Sequence, residues 1–432
     1  MSGETRIRVR HVTRVEGHGN IEVRARDGRI EKIEWQVPEA PRFFEAMVRG
    51  RSWDEIQPVV SRICGICSVA HSLASLKAVE DAMGIEVPEQ TDRLRLLVHY
   101  AEQLESHSLH LGYLVVPDLL GVKSIVPLVS SRPDNLRTII KIHRTANAWM
   151  ELIGGRMTHP VSLLVGGFAA LPSEDDLVGL KKSIQEVMPE LEALADLLLG
   201  AADKLPEFER DTEYIALSHP DAYTFYHGDI SSSDAEQLVD IHEFESVANE
   251  YVQAQSTAKW ARWHRDSYAV GALARFNTNG HLLGTRAART ARRFGLKQGC
   301  VNPFMNNTAQ LVECFQVAEH GLELIDELLS RSISQEKPEV RERAGMGVGA
   351  VEAPRGSLFH RYGFDEDGRC VSANLTIPTN QNHANIQKDF EALVPQIIHR
   401  GQDEVRRTLE MLVRAYDPCI SCSTHFLDVR FV

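Results

Sequence analysis

Several features typical of membrane, secreted and nucleic-acid-binding proteins are missing from this chain of 432 residues. No stretch reaches the ~18 consecutive apolar residues of a membrane-spanning helix. The first fourteen residues are polar and basic, unlike a secretory signal. Acidic residues outnumber basic ones by 60 to 47, and the net charge of −13 disfavours nucleic acid or an anionic membrane surface as a partner. The chain also has no internal repeat and no low-complexity segment.

Cysteine is scarce, with seven residues in the whole chain. The odd number, the unsuitable pair spacing and the missing signal predict reduced thiols and a cytoplasmic location. Three cysteines stand alone and are predicted to be buried apolar residues: Cys300, Cys314 and Cys370. The other four form two C-x-x-C pairs near opposite ends of the chain: Cys64 with Cys67, and Cys419 with Cys422.

The two pairs predict a metal site built from both ends of the chain. Residues three apart share one face of a helical turn, so each pair offers two thiolates to a soft metal. A helix with Ser68 as its N-cap is predicted directly after the first pair, and its N-terminus lowers the pKa of nearby thiols. His71 and His425 follow the two pairs as further ligands or as residues that orient the thiolates.

Other readings of four cysteines stay open at this point. Four thiolates most often hold structural zinc or an iron–sulfur cluster. Zinc ribbons usually separate their pairs by about 15 to 20 residues, whereas more than 350 lie between these two pairs. A redox dithiol is a third reading, but it needs only one pair.

The hydrophobic pattern predicts an α+β fold that is predominantly α, with the metal site between the chain ends. Residues 6–37 alternate as a small antiparallel sheet that turns at Asp27-Gly28, and a hairpin is predicted at 357–377. We interpret the chain as a single domain: residues 1–40 form the N-terminal sheet, 41–425 the helical body with the metal site, and 426–432 a C-terminal tail.

Periodic apolar positions predict a bundle of long helices. The predicted helices span 42–49, 68–83, 94–115, 134–154, 173–205, 234–265, 308–330 and 383–416. Residues 206–233 are predicted to be irregular. Gly345, Gly347 and Gly349 are not a dinucleotide-binding fingerprint, because no strand-turn-helix unit surrounds them.

Taken together, several motifs make the chain resemble the large subunit of a nickel–iron hydrogenase. In chain order they are Arg14-Val15-Glu16-Gly17-His18, Arg62-Ile63-Cys64-Gly65-Ile66-Cys67 with His71, Glu352-Ala353-Pro354-Arg355-Gly356, Ile377-Pro378-Thr379, and Asp417-Pro418-Cys419-Ile420-Ser421-Cys422-Ser423-Thr424-His425. The motifs span nearly the whole chain, and the two cysteine motifs are highly specific.

The resemblance implies a role for each matching residue. The four paired cysteines bind nickel, and Cys67 and Cys422 also bridge to an iron that carries carbon monoxide and cyanide. Glu16 is implied as the proton relay beside Cys419, and Arg355 as the guanidinium over the open face of the centre.

Further matches concern the surroundings of the centre. Pro378 and Thr379 are implied to hydrogen-bond the cyanides, and His71 to support a bridging cysteine. A magnesium ion is implied with three ligands: Glu45, the carbonyl of Leu375, and His425. Asp118 is a looser match to an acid near Arg355.

The implied reaction is the reversible heterolytic splitting of hydrogen, H2. The chain has too few cysteines for its own electron relay, so an iron–sulfur small subunit is implied, with further flavin or iron–sulfur electron-transfer subunits. The sequence resembles the cytoplasmic bidirectional branch, whose acceptors include NAD, a deazaflavin, a heterodisulfide and ferredoxin. A hydrogen sensor is an alternative with the same site, whereas the related quinone-site subunit of respiratory complex I lacks the four cysteines.

The tail after His425 carries one more prediction. Family large subunits are normally trimmed there after nickel insertion. Here the tail has only seven residues and five are apolar: Phe426, Leu427, Val429, Phe431 and Val432. We therefore predict a tail that stays on the mature chain and packs against its body.

Overall fold

The computed structural model describes residues 4–27, 29–336 and 338–425. The predicted tail, 426–432, lies outside the described residues. Within these ranges, no helix is both long enough and apolar enough to cross a membrane.

About half of the chain is helical, and the rest forms small sheets and loops. The helices are α1 (Phe44–Val48), α2 (Ile56–Val60), α3 (Ser68–Met83), α4 (Glu89–Leu109), α5 (Val116–Leu119), α6 (Leu128–Ser131), α7 (Pro133–Gly154), α8 (Glu174–Leu199), α9 (Phe244–Val247), α10 (Ala272–Asn279), α11 (Thr285–Arg293), α12 (Asn306–Leu329), α13 (Pro378–Ile397), α14 (Gln402–Ala415) and α15 (Ile420–Ser423).

The strands are short and mostly antiparallel. They are β1 (Glu4–Val9), β2 (Asn20–Arg26), β3 (Arg29–Gln36), β4 (Leu163–Leu164), β5 (Gly167–Phe168), β6 (Glu213–Ser218), β7 (Asp229–Ser232), β8 (Ala235–Val239), β9 (Asn249–Tyr251), β10 (Trp260–Arg262), β11 (Tyr268–Ala269), β12 (Gly345–Ala353), β13 (Gly356–Phe364) and β14 (Cys370–Thr376). The larger sheets have the orders β1-β2-β3, β11-β6-β7-β8 and β12-β13-β14. In these sheets β11 and β6 pair in parallel, and the other neighbouring strands are antiparallel.

Four long helices form the bundle that the apolar pattern predicts. Helix α4 packs on α7 and α12, and α8 packs on the same two helices. Ser173 caps α8 by accepting the N–H of Asp176, the predicted capping-box arrangement. On α12, a Cβ atom at Gly321 would come within 2.6 Å of the Trp149 ring of α7, so the glycine leaves space for the indole.

The N-terminal sheet is confirmed, and it is attached to the body through Trp35. The indole N–H of Trp35 donates to Nδ1 of His383 on α13 at 3.0 Å, and its main-chain N–H donates to Gln387 at 2.8 Å. His383 in turn contacts the hydroxyl of Ser423 in α15 at 3.0 Å. A chain of contacts thus joins the sheet to the second cysteine pair.

The three glycines of β12 allow the strand to lie directly on helix α3. A Cβ atom at Gly347 or Gly349 would come within 2.2 or 2.0 Å of the carbonyl oxygens of Ala78 and Ala74. The spacing matches, since two strand residues advance ~6.6 Å and four helix residues ~6 Å. The glycines therefore serve a strand–helix contact, which agrees with the prediction that they bind no dinucleotide.

Two predicted helices are wrong in extent or type. The predicted helix 383–416 is two helices, α13 and α14, which are separated at Gly401, a residue with low helix propensity. Between 234 and 265 the chain forms β8, α9, β9 and β10 instead of one helix. Pairing of β8 with β7 overrides the local helix propensity there, and the Asp240 side chain caps a new turn by accepting the N–H of His242.

Smaller differences concern the middle of the chain. The predicted helix 94–115 begins earlier, at Glu89, and its last six residues form a π-helical turn, His110–Val115. The region 206–233, which was predicted to be irregular, contributes β6 and β7 to a four-stranded sheet. The predicted hairpin at 357–377 is present as β13 and β14, with β12 as a third strand.

Candidate metal centre

The first cysteine pair lies in the turn before α3. Cys67 occupies the N-cap position of this helix, and the N–H of Cys67 donates to the sulfur of Cys64 at 3.0 Å. The predicted cap, Ser68, is instead the first helical residue. Its hydroxyl accepts the N–H of His159 at 2.9 Å and so fixes a neighbouring loop against the pair.

A carboxyl group from another helix satisfies the start of α3. The N–H groups of Val69 and Ala70 donate to the two oxygens of Glu102 on α4, at 2.6 and 2.8 Å. The first turn of a helix has no internal acceptors for its N–H groups. Glu102 therefore holds the helix that follows Cys67 against the bundle.

The second pair is carried by α15. Cys419 precedes this short helix and Cys422 lies within it. The N–H of Cys419 donates to the Thr379 hydroxyl at the start of α13, at 3.0 Å. Pro378, also predicted from the sequence, is the buried first residue of α13.

The four sulfur atoms come together as the sequence predicts. All four are buried and lie within 4.8 Å of one another. The Sγ–Sγ distance is 3.6 Å between Cys64 and Cys419, 3.9 Å between Cys67 and Cys422, and 2.6 Å between Cys419 and Cys422. Within the described ranges, this is the one group of three or more Cys, His, Asp or Glu side chains close enough to share a metal ion.

Two direct links hold the ends of the chain together at this point. The carbonyl of Glu16 accepts the N–H of Ile420 at 3.1 Å, in a parallel bridge that sets Glu16 beside Cys419. The guanidinium of Arg42 donates to the carbonyl of Ile63 at 2.7 Å and also to the carbonyl of Ser421. Arg42 thus ties the residue before the first pair to a residue inside the second.

The thiols differ in their acidity. Burial opposes ionisation of Cys64, but hydrogen bonds from the three other thiols and the charge of Arg355 hold its pKa well below the ordinary value. Burial and the ionised neighbour raise the pKa of Cys422 well above it. Cys64 is therefore the most acidic of the four thiols, and metal binding displaces thiol protons from the group.

Arg355 lies against the second cysteine motif. Its Nε donates to the carbonyl of Asp417 at 2.7 Å, and Nη2 donates to the carboxylate of Asp417 at 3.0 Å. Although burial disfavours its charge, Asp417 and the thiolates hold the pKa of Arg355 well above the ordinary value. Nη1 is buried and has no acceptor among the described residues, so one charged donor is free for another group.

The acid beside Arg355 is Asp417, and the match of Asp118 to that position is wrong. The carboxylate of Asp118 pairs instead with Arg14 at 2.5 Å and with Arg414 at 2.6 Å. Asp417 directly precedes Pro418-Cys419 in the motif, and this position next to a ligand was the available signal.

Glu16 contacts the second pair through a main-chain donor. Its carboxylate accepts the N–H of Ser421 at 3.0 Å, and the side chain is half-buried. Its position beside Cys419 is the one that the sequence predicts for this residue.

His71 lies in a buried chain of polar groups. Its Nδ1 contacts Nε2 of His360 at 3.1 Å, and Nδ1 of His360 contacts the hydroxyl of Tyr362 at 2.8 Å. Burial lowers the pKa of His71 to about 4, so this imidazole is neutral near pH 7. His360 gave no signal in the sequence, because its partner is 289 residues away.

The three residues predicted to hold magnesium come together near the second pair. The Glu45 carboxylate accepts the N–H of Leu375 at 2.9 Å and lies 3.5 Å from Nε2 of His425. Nδ1 of His425 contacts the carbonyl of Cys422 at 3.0 Å, whereas its buried Nε2 has no hydrogen-bond partner among the described residues. Burial raises the pKa of Glu45, but the nearby His425 imidazole, the charge of Lys259 and the Leu375 N–H together hold it below its ordinary value.

Comparison with known proteins identifies the family. The model of the nickel-dependent hydrogenases matches residues 42–135 and 209–425. The chain belongs to this family. It is the catalytic large subunit of a nickel–iron hydrogenase.

Individual relatives agree over nearly the full length of this hydrogenase. The chain is 32% identical over 422 residues to the sulfhydrogenase 1 subunit alpha of Pyrococcus furiosus, covering 97% of both chains. It is 28% identical to the NAD-reducing hydrogenase HoxS subunit beta of Cupriavidus necator, covering 96% of this chain and 94% of that subunit. A crystal structure of an NAD+-reducing [NiFe]-hydrogenase in the H2-reduced state superposes with a TM-score of 0.88 at 26% identity, covering 98% of this chain and 100% of the other.

Proposed function

We propose that this hydrogenase splits H2 at a nickel–iron centre held by Cys64, Cys67, Cys419 and Cys422, and that it passes the electrons to a partner subunit. The observation that carries the proposal is the buried group of four thiols with the free Nη1 donor of Arg355. Soft thiolates suit nickel and iron. When bound, the centre would supply the heterolytic splitting of H2, whose overall products are two protons and two electrons.

The surroundings of the thiols suit diatomic ligands on the iron. A buried cationic donor without a partner favours an anionic acceptor such as cyanide. The Thr379 oxygen accepts from Cys419, which leaves the hydroxyl hydrogen to donate to another group. We assign Thr379 and Pro378 to the binding of the cyanides, with carbon monoxide as the uncharged ligand, and His71 as a neutral support of a bridging cysteine.

Glu16 is assigned as the first proton acceptor outside the thiols. Its main chain pairs with Cys419, and its carboxylate is held by the N–H of Ser421. A carboxylate so placed accepts a proton from the Cys419 sulfur and passes it towards solvent.

We assign Glu45, the Leu375 carbonyl and His425 to a magnesium ion. The buried Nε2 of His425 has no partner among the described residues and lies beside the charged carboxylate of Glu45, so a cation between them would satisfy both. Such an ion would tie α1 and β14 to the chain after the second cysteine pair.

The described residues hold no second cysteine cluster that could accept electrons from the centre. The electron acceptor must therefore lie elsewhere. We therefore propose an iron–sulfur small subunit as the partner, with flavin or iron–sulfur subunits beyond it. The named relatives are subunits of larger hydrogenases, one of which reduces NAD. The free thiols of the described residues suit a reducing compartment, and we place the protein in the cytoplasm.

Metal analysis and isotope exchange test the proposal together. Purified protein should contain nickel and iron, take up H2, and form HD from D2 in water. Cys419→Ser should lose the metals, whereas Cys300→Ser, which changes a half-buried thiol outside the site, should keep them. Zinc in place of nickel would overturn the proposal. A protein that contains nickel and iron and forms HD, but takes up H2 very slowly, would favour the hydrogen sensor.

Glu16→Gln separates proton transfer from metal binding. The amide keeps the shape and the acceptor for the Ser421 N–H but cannot relay a proton, so exchange should fall by about 10²- to 10⁴-fold at unchanged metal content. Glu31→Gln, on the exposed face of β3, is the control and should change neither. A normal rate of HD formation in Glu16→Gln would show that another residue accepts the proton.

A further inference from the structure

A second carboxylate lies next to Glu16, on the other side of Ser421. The N–H of Ser421 donates to Oε2 of Glu16 at 3.0 Å, and the hydroxyl of Ser421 donates to Oε1 of Glu39 at 2.5 Å. One residue of the second cysteine motif therefore holds two carboxylates. Both donors belong to the same amino acid, so the two carboxylates cannot be far apart.

Glu39 is fixed in place from three sides. Its second oxygen, Oε2, accepts the main-chain N–H of His18 at 2.8 Å. Its own carbonyl accepts the hydroxyl of Thr257 at 2.5 Å, which holds the main chain after β3. Gly17 has a φ of +83°, and a Cβ atom there would come within 2.7 Å of Glu39 Oε2. The glycine leaves space for the carboxylate to reach Ser421.

The order of burial runs outward from the metal site through these residues. The sulfur of Cys419 is buried, Glu16, Ser421 and Glu39 are half-buried, and both neighbours of Glu39, Pro38 and Ala40, are exposed. Glu39 is thus joined to Glu16 through Ser421 and lies between two exposed residues of the chain.

We propose that Ser421 and Glu39 continue the proton path of Glu16 to the surface, an inference that rests on the proposed function. Protonated Glu16 turns to the Ser421 hydroxyl, which takes that proton as it gives its own to Glu39. The serine is unchanged by the transfer. Glu39 then releases the proton to water, and no further reactant is needed. Glu39 acts through Glu16 and has no contact with the metal ligands.

Exchange measurements on Glu39→Gln test the path. Formation of HD from D2 in water needs the proton to leave the site, whereas conversion of para-H2 to ortho-H2 needs only cleavage and recombination. We expect HD formation to fall on the order of tenfold to a hundredfold, with para–ortho conversion and metal content unchanged. Glu34→Gln is the control. Glu34, on β3, is also half-buried, but its carboxylate pairs with Lys32.

Two further variants distinguish proton transfer from a structural role. In Glu39→Ala, added formate should restore part of the exchange, because a small acid can occupy the space and carry protons. Ser421→Ala keeps both carboxyl groups and should slow exchange as well. In the metal-free chain, the infrared carboxylate band that Glu39→Gln removes should shift in Ser421→Ala, since the hydroxyl donor is lost.

The outcomes separate this inference from the proposed function. Wild-type protein without nickel or without exchange would refute the proposed function itself. If the wild type is active and Glu39→Gln forms HD at the normal rate, the relay through Glu39 is wrong and the proposed function still stands. If Glu39→Gln loses its metals, Ser421→Ala decides, and unchanged exchange there overturns the relay. An unshifted infrared band would show that the serine–glutamate hydrogen bond does not exist in solution.

Discussion

Arg355 shows how a single side chain can be held by an ion pair and still present a free donor at the candidate metal site. Two of its nitrogens bind Asp417, and the third, Nη1, faces no acceptor among the described residues. The planar guanidinium group can bind Asp417 and keep a free donor at the same time, whereas the ammonium group of a lysine cannot.

Arg355→Lys should therefore be severe although the charge is kept. We expect H2 oxidation to fall by about tenfold or more, because the ammonium cannot bind Asp417 and also present a free donor. The measurement is H2 uptake per bound nickel. Arg361→Lys on β13, whose side chain pairs with Glu245 at the surface, should leave the rate unchanged. Equal rates in both variants would remove Arg355 from the mechanism.

Glu105 is a buried acid to which the proposed reaction assigns no step. Burial raises its pKa to about 8, the charges of Glu102 and Cys64 add to this, and Arg355 opposes it. One of its oxygens has no hydrogen-bond partner among the described residues. The side chain is therefore protonated at neutral pH in the folded protein.

The raised pKa of Glu105 makes the folded chain less stable as the pH rises. The folded-state pKa lies above the unfolded value, so the folded chain binds more protons and loses stability as the pH rises towards 8. Glu105→Gln should flatten the fall of the melting temperature of the metal-free chain between pH 5 and 8.5. The exposed Glu366 serves as the control position for the same substitution. Parallel curves for wild type and Glu105→Gln would show that Glu105 ionises normally.

Helix α3 and strand β12 form the contact between elements that matters most for the first cysteine pair. The helix begins directly after Cys67, and the glycines of β12 lie against its stripe of small residues at Ala74, Ala78 and Ala82. Any side chain on that face of the strand would push the helix away.

Gly349→Ala tests this contact. The new methyl would meet the Ala74 carbonyl and the Ala78 N–H, and overpacking of this kind costs about 1–3 kcal/mol, or more where backbone must move. We expect a lower melting temperature and faster loss of nickel to a chelator. Gly179→Ala in α8, where a Cβ meets nothing within 4 Å, should be neutral or stabilising. Unchanged nickel retention in Gly349→Ala would contradict the link between this contact and the site.

How far the sequence predicts an element depends on where its partners lie. Long helices with regular apolar spacing, such as α7 and α12, are predicted to within two residues at each end, since the pattern is local. The start of α8 is predicted equally well, but the helix ends at Leu199 and not near Leu205. Strands β6 to β8 are not, because their stability comes from pairing with one another. The β12–α3 contact likewise depends on tertiary packing.

The same division applies to the candidate site. Cysteine pairs, Glu16 and Arg355 lie in short motifs, and the structure brings them to one place. Arg42, His360 and Glu39 gave no signal, because each acts on residues hundreds of positions away. The ligand roles of Glu45, Leu375 and His425 stay predictions.

At the scale of the whole molecule, the candidate metal site is formed by two cysteine pairs that are far apart in the sequence. His425 is buried and bound to the Cys422 carbonyl, so the chain leaves the site from an interior position. The predicted tail continues from there. An intact mass of nickel-loaded protein should include residues 426–432, and a mass that ends at His425 would show that the tail is removed.

The separation of the two cysteine pairs also sets an order of events during synthesis. Cys64 and its partner Cys419 are 355 residues apart. At about 5–20 residues per second, a ribosome needs roughly 20 to 70 seconds to make that length. For that interval the first pair is available to solvent metals with two sulfurs at most, too few to fill a tetrahedral ion. The late arrival of Cys419 and Cys422 thus keeps the site from being complete until the second pair has been made.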